Sequence, residues 1–194
     1  MKIIIDARHF ESKYSGVEVY TSNIMSELSK VTSNFELNRP TRYNTFFSLL
    51  KSISSPKPCA SIYHSLALVA TPSKCKVRII TVHDTLCYDY YFKNKNPKWS
   101  LMRTALRKYC ASSDAIVTLS SFTASRLVDL KLTDIKPIVI PPGPSIPSII
   151  WEGGGNYLLC ISSNRKHKNL PFLITAFNNL KPDNPLHLKI VGTQ

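Results

Sequence analysis

DAIVTLSSFTASRLVDLKLTDIKPIVIPP, residues 114 to 142, decides the fold. Asp114 to Ser120 is a short β-branched apolar run, Ser121 to Leu130 has helical spacing, and Lys136 to Pro142 is again strand-like. A strand, a helix and a second buried strand in that order form the unit from which parallel sheets are built. Working back along the chain, KVRIITVHD (Lys76 to Asp84) and SIYHS (Ser61 to Ser65) have the continuous hydrophobicity of inner parallel strands. Between Pro97 and Ala111, Trp99, Met102, Leu106 and Tyr109 line one helical face, and Arg103 and Arg107 lie on another. The chain opens with a strand, Lys2 to Asp6, then a loop to Gly16. A helix to Val31 follows, with Val17, Tyr20, Ile24, Leu28 and Val31 on its inward face. Thr32 to Pro58 is polar and broken by prolines, with a short apolar patch at Phe46 to Leu50. The alternation predicts an α/β fold, a doubly wound parallel sheet of the Rossmann type.

PPGPSIPS (Pro141 to Ser148) cannot continue a helix or a strand and marks a boundary. Beyond it the pattern restarts: a strand at Tyr157 to Ser162, a helix at Leu170 to Leu180 with Phe172, Leu173, Ala176 and Leu180 inward, and a strand at Leu186 to Gly192. The expected organisation is a domain at 1–143, a linker at 144–155, and at 156–194 a second α/β domain that stops after its opening unit. Two strands and one helix leave most of their apolar surface wet.

The 194 residues carry 25 Lys+Arg against 12 Asp+Glu, a formal charge of +13, and 43% are apolar. This composition excludes disordered and collagen-like chains and favours an anionic partner. No apolar run approaches the ~20 residues that span a bilayer. MKIIIDARHF also lacks the apolar stretch of a leader, so a cytoplasmic protein is expected. The five cysteines are scattered with no CxxC pair, which fits reduced thiols and no metal.

Few residues carry chemistry. Gly16, between strand and helix, either permits a tight turn or lets a phosphate approach the free N–H groups of the helix start. His83 and Asp84 end a strand, where open α/β sheets place their ligands. Asp84 either orients His83 or caps its own loop. Ser120 either offers its hydroxyl to a cleft or caps the next helix. The stretch with Lys93, Lys95, Lys98, Arg103, Arg107 and Lys108 holds no acid. It is either a solvated helix face or, with Trp99, Tyr88, Tyr90 and Tyr91, a patch for an anionic membrane surface. No nucleic-acid-binding signature is present, so no nucleic acid is expected. His9, His64, His167 and His187 show no metal spacing.

Four segments, in order, resemble the retaining GT-B glycosyltransferases of family 4. KIIIDARHF with SGVEVYTSNIMSEL is similar to the family's first strand, glycine loop and helix; VHD (Val82 to Asp84) resembles its HD motif. SDAIVTLSSFTASRL with IKPIVIPPG, and NYLLCISSNRKHKNLPFLITAFNNL, resemble the close of its first domain and the opening of its second. The resemblance implies a GT-B fold whose first domain binds the acceptor, with His83 in an interdomain cleft against the sugar or the acceptor hydroxyl. It also implies that Arg165 and Lys168, with Gly16, grip the donor diphosphate. The implied reaction moves a sugar from a nucleotide-diphosphate sugar to a lipid-linked or saccharide acceptor with retention, in cell-surface polysaccharide or lipopolysaccharide synthesis. No cofactor is implied beyond that substrate, and the site of action is the inner face of the membrane. Two departures accompany the likeness. Ser162 and Ser163 stand where many relatives have glycine, and no glutamate pair has seven residues between its members. The alternative expectation is a truncated, inactive remnant, or an acceptor- or membrane-binding module.

Overall fold

Short β-branched runs bounded by turn residues form the strands of a computed structural model that describes residues 2–6, 16–38, 61–67, 75–93, 95–144, 154–180 and 186–192. The chain divides into two compact units, Met1–Ser145 and Ile146–Gln194.

In the first unit, β1 (Ile3–Asp6), β2 (Glu36–Asn38), β3 (Ile62–Ser65), β4 (Val77–Val82), β5 (Ala115–Thr118) and β6 (Ile138–Val139) build one six-stranded sheet in the order β2-β1-β3-β4-β5-β6. Every pairing is parallel, with Ile4 beside Tyr63, Tyr63 beside Arg78 and Ile80 beside Ile116. Helix α1 (Gly16–Val31) carries the chain from β1 outward to β2. The short α2 (Leu86–Asp89) and then α3 (Pro97–Ala111) lead from β4 to β5, and α4 (Ser121–Asp129) leads on to β6. The direction of winding therefore reverses between β1 and β3. Right-handed crossovers then place helices on opposite faces of the sheet. Met25 of α1 packs with Ile5 and Leu66 on one face. Leu106 of α3 and Leu127 of α4 pack with Ile80, Val82 and Ile116 on the other. The fold is the expected doubly wound, Rossmann-type α/β sheet.

Local chemistry fixes the helix starts. The Asn96 side chain accepts from Lys98 N at 2.9 Å, and Pro97 opens α3 without forfeiting a bonded N–H. At the amino edge of the sheet, Arg78 Nε and Nη2 donate to the two Asp114 carboxylate oxygens at 3.0 and 3.1 Å, tying the starts of β4 and β5. Burial pushes the Cys87 and Cys110 thiols up to about 11 and about 12, so both act as apolar core filler.

Several elements differ from expectation. Strand β2 falls in a stretch expected to lack one: Glu-Leu-Asn has no apolar run, and pairing to β1 on a single side suffices for an edge. The deepest residues of α1 are Glu18, Thr21 and Met25, whereas Val31, the last residue of the helix, is 83% exposed. The patch at Phe46 to Leu50 lies outside the described residues.

The second unit contains β7 (Tyr157–Ile161), a 3-10 turn (Lys166–Lys168), α5 (Leu170–Asn178) and β8 (His187–Val191), with β7 and β8 parallel. Phe172 and Leu180, expected inward, are 68% and 51% exposed, and Ala176 is exposed too. One helix covers two strands with a narrow stripe, and Leu170, Leu173 and Phe177 form it. After β8 the backbone passes so close to β7 that a Cβ on Gly192 would stand 1.8 Å from the Ser162 carbonyl oxygen.

Two stability predictions follow from these packings. Leu106→Ala, at a fully buried position, should lower unfolding free energy by about 2–5 kcal/mol in urea titration. Gly192→Ala should strip hydrogen-exchange protection from the β7 and β8 amides and leave β3 to β5 protected.

Candidate active site

Six parallel strands end along one edge of the first unit, and the strand order reverses between β1 and β3, the position at which such sheets hold ligands. At the ends of these strands, or one position before, lie buried polar residues: Asp6, Ser65, Thr81 and Thr118. An isolated polar group in that setting would be costly, and each is hydrogen-bonded. The Tyr63 hydroxyl donates to Asp6 Oδ2 at 2.6 Å and accepts from Asn38 Nδ2 at 3.1 Å, so a phenol within β3 ties together the carboxylate and the amide that end β1 and β2. The Ser65 hydroxyl donates to Ala67 O at 2.8 Å.

His83 follows β4 directly. Its Nε2 lies 2.8 Å from the Leu66 carbonyl oxygen at the end of the neighbouring strand. A carbonyl can only accept, so Nε2 carries the hydrogen, and in the neutral ring Nδ1 is the acceptor. Tyr20, one turn into α1, presents its ring edge-on to the imidazole, with centroids 5.0 Å apart and planes at 88°. The His83 carbonyl accepts from Thr123 Oγ1 of α4 at 3.4 Å. Side chain and backbone are thus held by three different elements, and the ring remains half-buried.

The same tyrosine locks α1 to the sheet. Its hydroxyl is hydrogen-bonded to Thr81, and Thr81 Oγ1 lies 3.0 Å from His64 Nε2. Burial pushes the Tyr20 phenol up against the smaller opposing effect of that bond, so it stays protonated. Dense packing pushes His64 down to about 4, and its imidazole is neutral.

Gly16 opens α1 one turn before Tyr20, so the lock that fixes Tyr20 on His83 also fixes the helix start beside this edge. Gly16 does not adopt positive φ, and a Cβ there would meet nothing within 4 Å among the described residues; the loop that leads into it, residues 7–15, lies outside them. Glu18, buried in the first turn, adds a carboxyl near the positive end of the helix.

Other expected site residues are differently employed. Asp84 does not orient His83: its Oδ1 accepts from Leu86 N at 3.0 Å, a local turn that starts α2, and the side chain is otherwise exposed. The Ser120 hydroxyl is taken by the cap of α4, accepting from Thr123 N at 3.2 Å and donating to Thr123 Oγ1 at 3.1 Å. Arg103 leaves the basic patch: its Nη1 donates to Cys87 O and Tyr91 O at 3.2 and 3.1 Å. Arg107 and Lys108 lie nine and ten residues beyond Lys98 on α3, about 13–15 Å along its axis, so the six cations are not one cluster. Tyr88 donates to Arg103 O, and both Tyr88 and Trp99 pack against the core. Arg165 and Lys168 are exposed residues at the 3-10 turn of the second unit.

The model of the Glycosyltransferase Family 4 matches residues 49–145, from ahead of β3 to beyond β6. The chain belongs to glycosyltransferase family 4. No curated protein matches it. His83, Asp84 and Ser120 fall inside the family 4 match, whereas Gly16, Arg165 and Lys168 fall outside it. Family 4 membership makes glycosyl transfer the chemistry to be read from the β3 to β5 edge. Asp6 and Tyr20 were not singled out as site residues from the sequence. An acid closing the apolar run IIID was the available sign of the first, and nothing separated Tyr20 from the other apolar positions of its helix face.

Neutral His64 also predicts a pH dependence. An unfolded histidine binds its proton near 6.5, and folded His64 only near about 4, so the unfolded state gains protons first as pH falls. Stability is full above about pH 6.5 and declines toward about pH 4, by up to about 3 kcal/mol. Urea unfolding across this window should show the decline in the wild type and a flatter profile in His64→Gln.

Proposed function

We propose that the first unit carries the acceptor-side active site of a retaining sugar transferase that uses a nucleotide-diphosphate sugar. The acceptor is a lipid-linked or saccharide hydroxyl, in cell-surface polysaccharide or lipopolysaccharide synthesis at the cytoplasmic face of the membrane. In the transfer the bond from the anomeric carbon to the diphosphate oxygen breaks, and a bond to the acceptor oxygen forms on the same face. The diphosphate leaves with the bonding electrons, and the acceptor hydroxyl's proton passes to the departing diphosphate oxygen.

The clamp on His83 is the observation that supports this reading most. An imidazole fixed by Leu66 O and Tyr20 keeps one acceptor nitrogen, Nδ1, for a sugar or acceptor hydroxyl, and a neutral ring can relay a proton without a change of rotamer. The start of α1 at Gly16 suits the donor diphosphate, since a helix start presents the positive end of the helix dipole and a Cβ on Gly16 would meet nothing within 4 Å among the described residues. Arg165 and Lys168, exposed in the second unit, are cations of the kind that offset the charge developing on a departing diphosphate. No cofactor beyond the nucleotide sugar is required.

A second reading is a binding module without turnover of its own. It is favoured by the apolar surface that the second unit leaves exposed at Leu159, Ile161, Phe172 and Val191. Calorimetry and transfer assays against UDP-, GDP- and ADP-sugars separate the two readings. Turnover with one donor should fall by about 10²-fold or more in His83→Ala. Asp84→Asn retains the Oδ1 acceptor of its turn and should stay near wild type. Unchanged turnover in His83→Ala removes His83 from the chemistry, and binding without turnover supports the module.

A further inference from the structure

We propose that the segment from Tyr90 to Lys98 is a docking surface for an anionic lipid leaflet. Its backbone is held from within. Arg103 Nη1 donates to the carbonyls of Cys87 and Tyr91, and its guanidinium stands 5.5 Å from the centre of the Phe92 ring. Tyr91 stacks on Trp99 at 3.7 Å with the planes 3° apart, and the Asn96 cap with Pro97 fixes where α3 begins. With Tyr88, Tyr91 and Trp99 turned to the protein, the aromatic rings presented outward are Tyr90, 51% exposed, and Phe92, 61% exposed.

Lys93, Lys95 and Lys98, all exposed, follow those two rings within six residues along the chain. No acid occurs from Tyr90 to Lys108, and the preceding acid, Asp89, is matched by Arg126, whose Nε donates to it at 3.0 Å. Two exposed rings followed by exposed cations have the chemistry of the interface between anionic headgroups and acyl chains. A nucleic-acid track fits less well: the nearest further cation on α3, Arg107, lies nine residues on from Lys98, half a rotation around the helix, and Arg103 between them is spent on carbonyls.

The surface follows His83 by seven positions, on the loop that leaves the same carboxyl edge of the sheet. It thereby deepens the sugar-transfer reading by naming where a lipid-borne acceptor would be met. Its test needs no turnover, so either can fail without the other. Among the described residues no helix is long and apolar enough to cross a membrane, so the contact proposed is a surface one.

The full chain would be co-sedimented with vesicles of two parts phosphatidylcholine to one part phosphatidylglycerol, and with phosphatidylcholine alone. Binding is expected only with the anionic lipid. Tyr90→Ser/Phe92→Ser keeps the net charge and should weaken vesicle binding by about tenfold or more. Lys95→Gln/Lys98→Gln should do the same, while Lys76→Gln/Lys136→Gln, with an equal change of charge, should leave binding within about twofold. Equal losses in the two lysine pairs would reduce the effect to overall charge and overturn the proposal. So would an aromatic pair that binds as wild type, or tighter binding to a single-stranded oligonucleotide than to the vesicles. Thermal melts identify any variant that fails to fold, and the lysine comparison stands independently of the aromatic one.

Discussion

The hydrogen bond from His83 to the Leu66 carbonyl joins the ends of two neighbouring parallel strands, and the arrangement of the site depends on it. Parallel strands present their last carbonyls along one edge with no following residue in the ladder to satisfy them. Using one such carbonyl as the anchor for an imidazole satisfies the acceptor and fixes the tautomer in one step. It also removes rotamer freedom from the ring before any ligand arrives, so that ordering cost does not fall on binding or on the transition state. Tyr20 extends the constraint to the opposite layer. It is in edge contact with His83 and bonded to Thr81, and therefore carries the start of α1 with it.

The parallel sheet was legible because inner strands must be apolar on both faces. IIID, SIYHS, KVRIITVHD and DAIVTLS each carry consecutive apolar residues, and the helix spacings between them agree with one topology. Strand β2 was not, since Glu36–Asn38 needs no apolar run to pair on one side. Helix α1 was read over its true length. Its deepest positions are nonetheless Glu18, Thr21 and Met25, because burial beside a polar strand edge is set by hydrogen-bond supply as much as by hydrophobicity. At the site, His83 was legible from its place after a strand. Its anchors were not: a backbone carbonyl has no residue signature, and Tyr20 reads as one more apolar position on a helix face. Asp84 and Ser120 illustrate the converse, since residues that suit catalysis are also the residues that suit caps.

The net charge of +13 resolves into two populations with different work. Arg78, Arg103 and Arg126 are spent inside the structure: the first on Asp114, the second on two carbonyls, the third on Asp89. A planar fork with several donors can satisfy two acceptors at once, which an ammonium on a flexible stem does less well. Where lysines do pair, as Lys2 with Glu36 and Lys30 with Glu27, both partners are about half exposed or more, and such pairs contribute little to stability. The arginines therefore organise the fold, and the lysines supply most of the surface field.

The second unit shows how far backbone geometry can be specified without deep burial. None of its helix residues is fully buried. Even so, Asn169 holds a left-handed conformation at φ 52° to join the 3-10 turn to α5, and Ser162 N reaches Val191 O at 2.8 Å beside the close approach of Gly192. Asparagine tolerates the left-handed region better than most residues, and glycine alone accepts the contact at Ser162 O. The exposed Arg165 and Lys168 flank a turn closed by the bond from Lys168 N to Arg165 O at 2.8 Å. Their placement is thus set by a local turn and a conformationally permissive asparagine. A core substitution in the first unit leaves those determinants in place, whereas replacement of Asn169 by a β-branched residue acts on them directly.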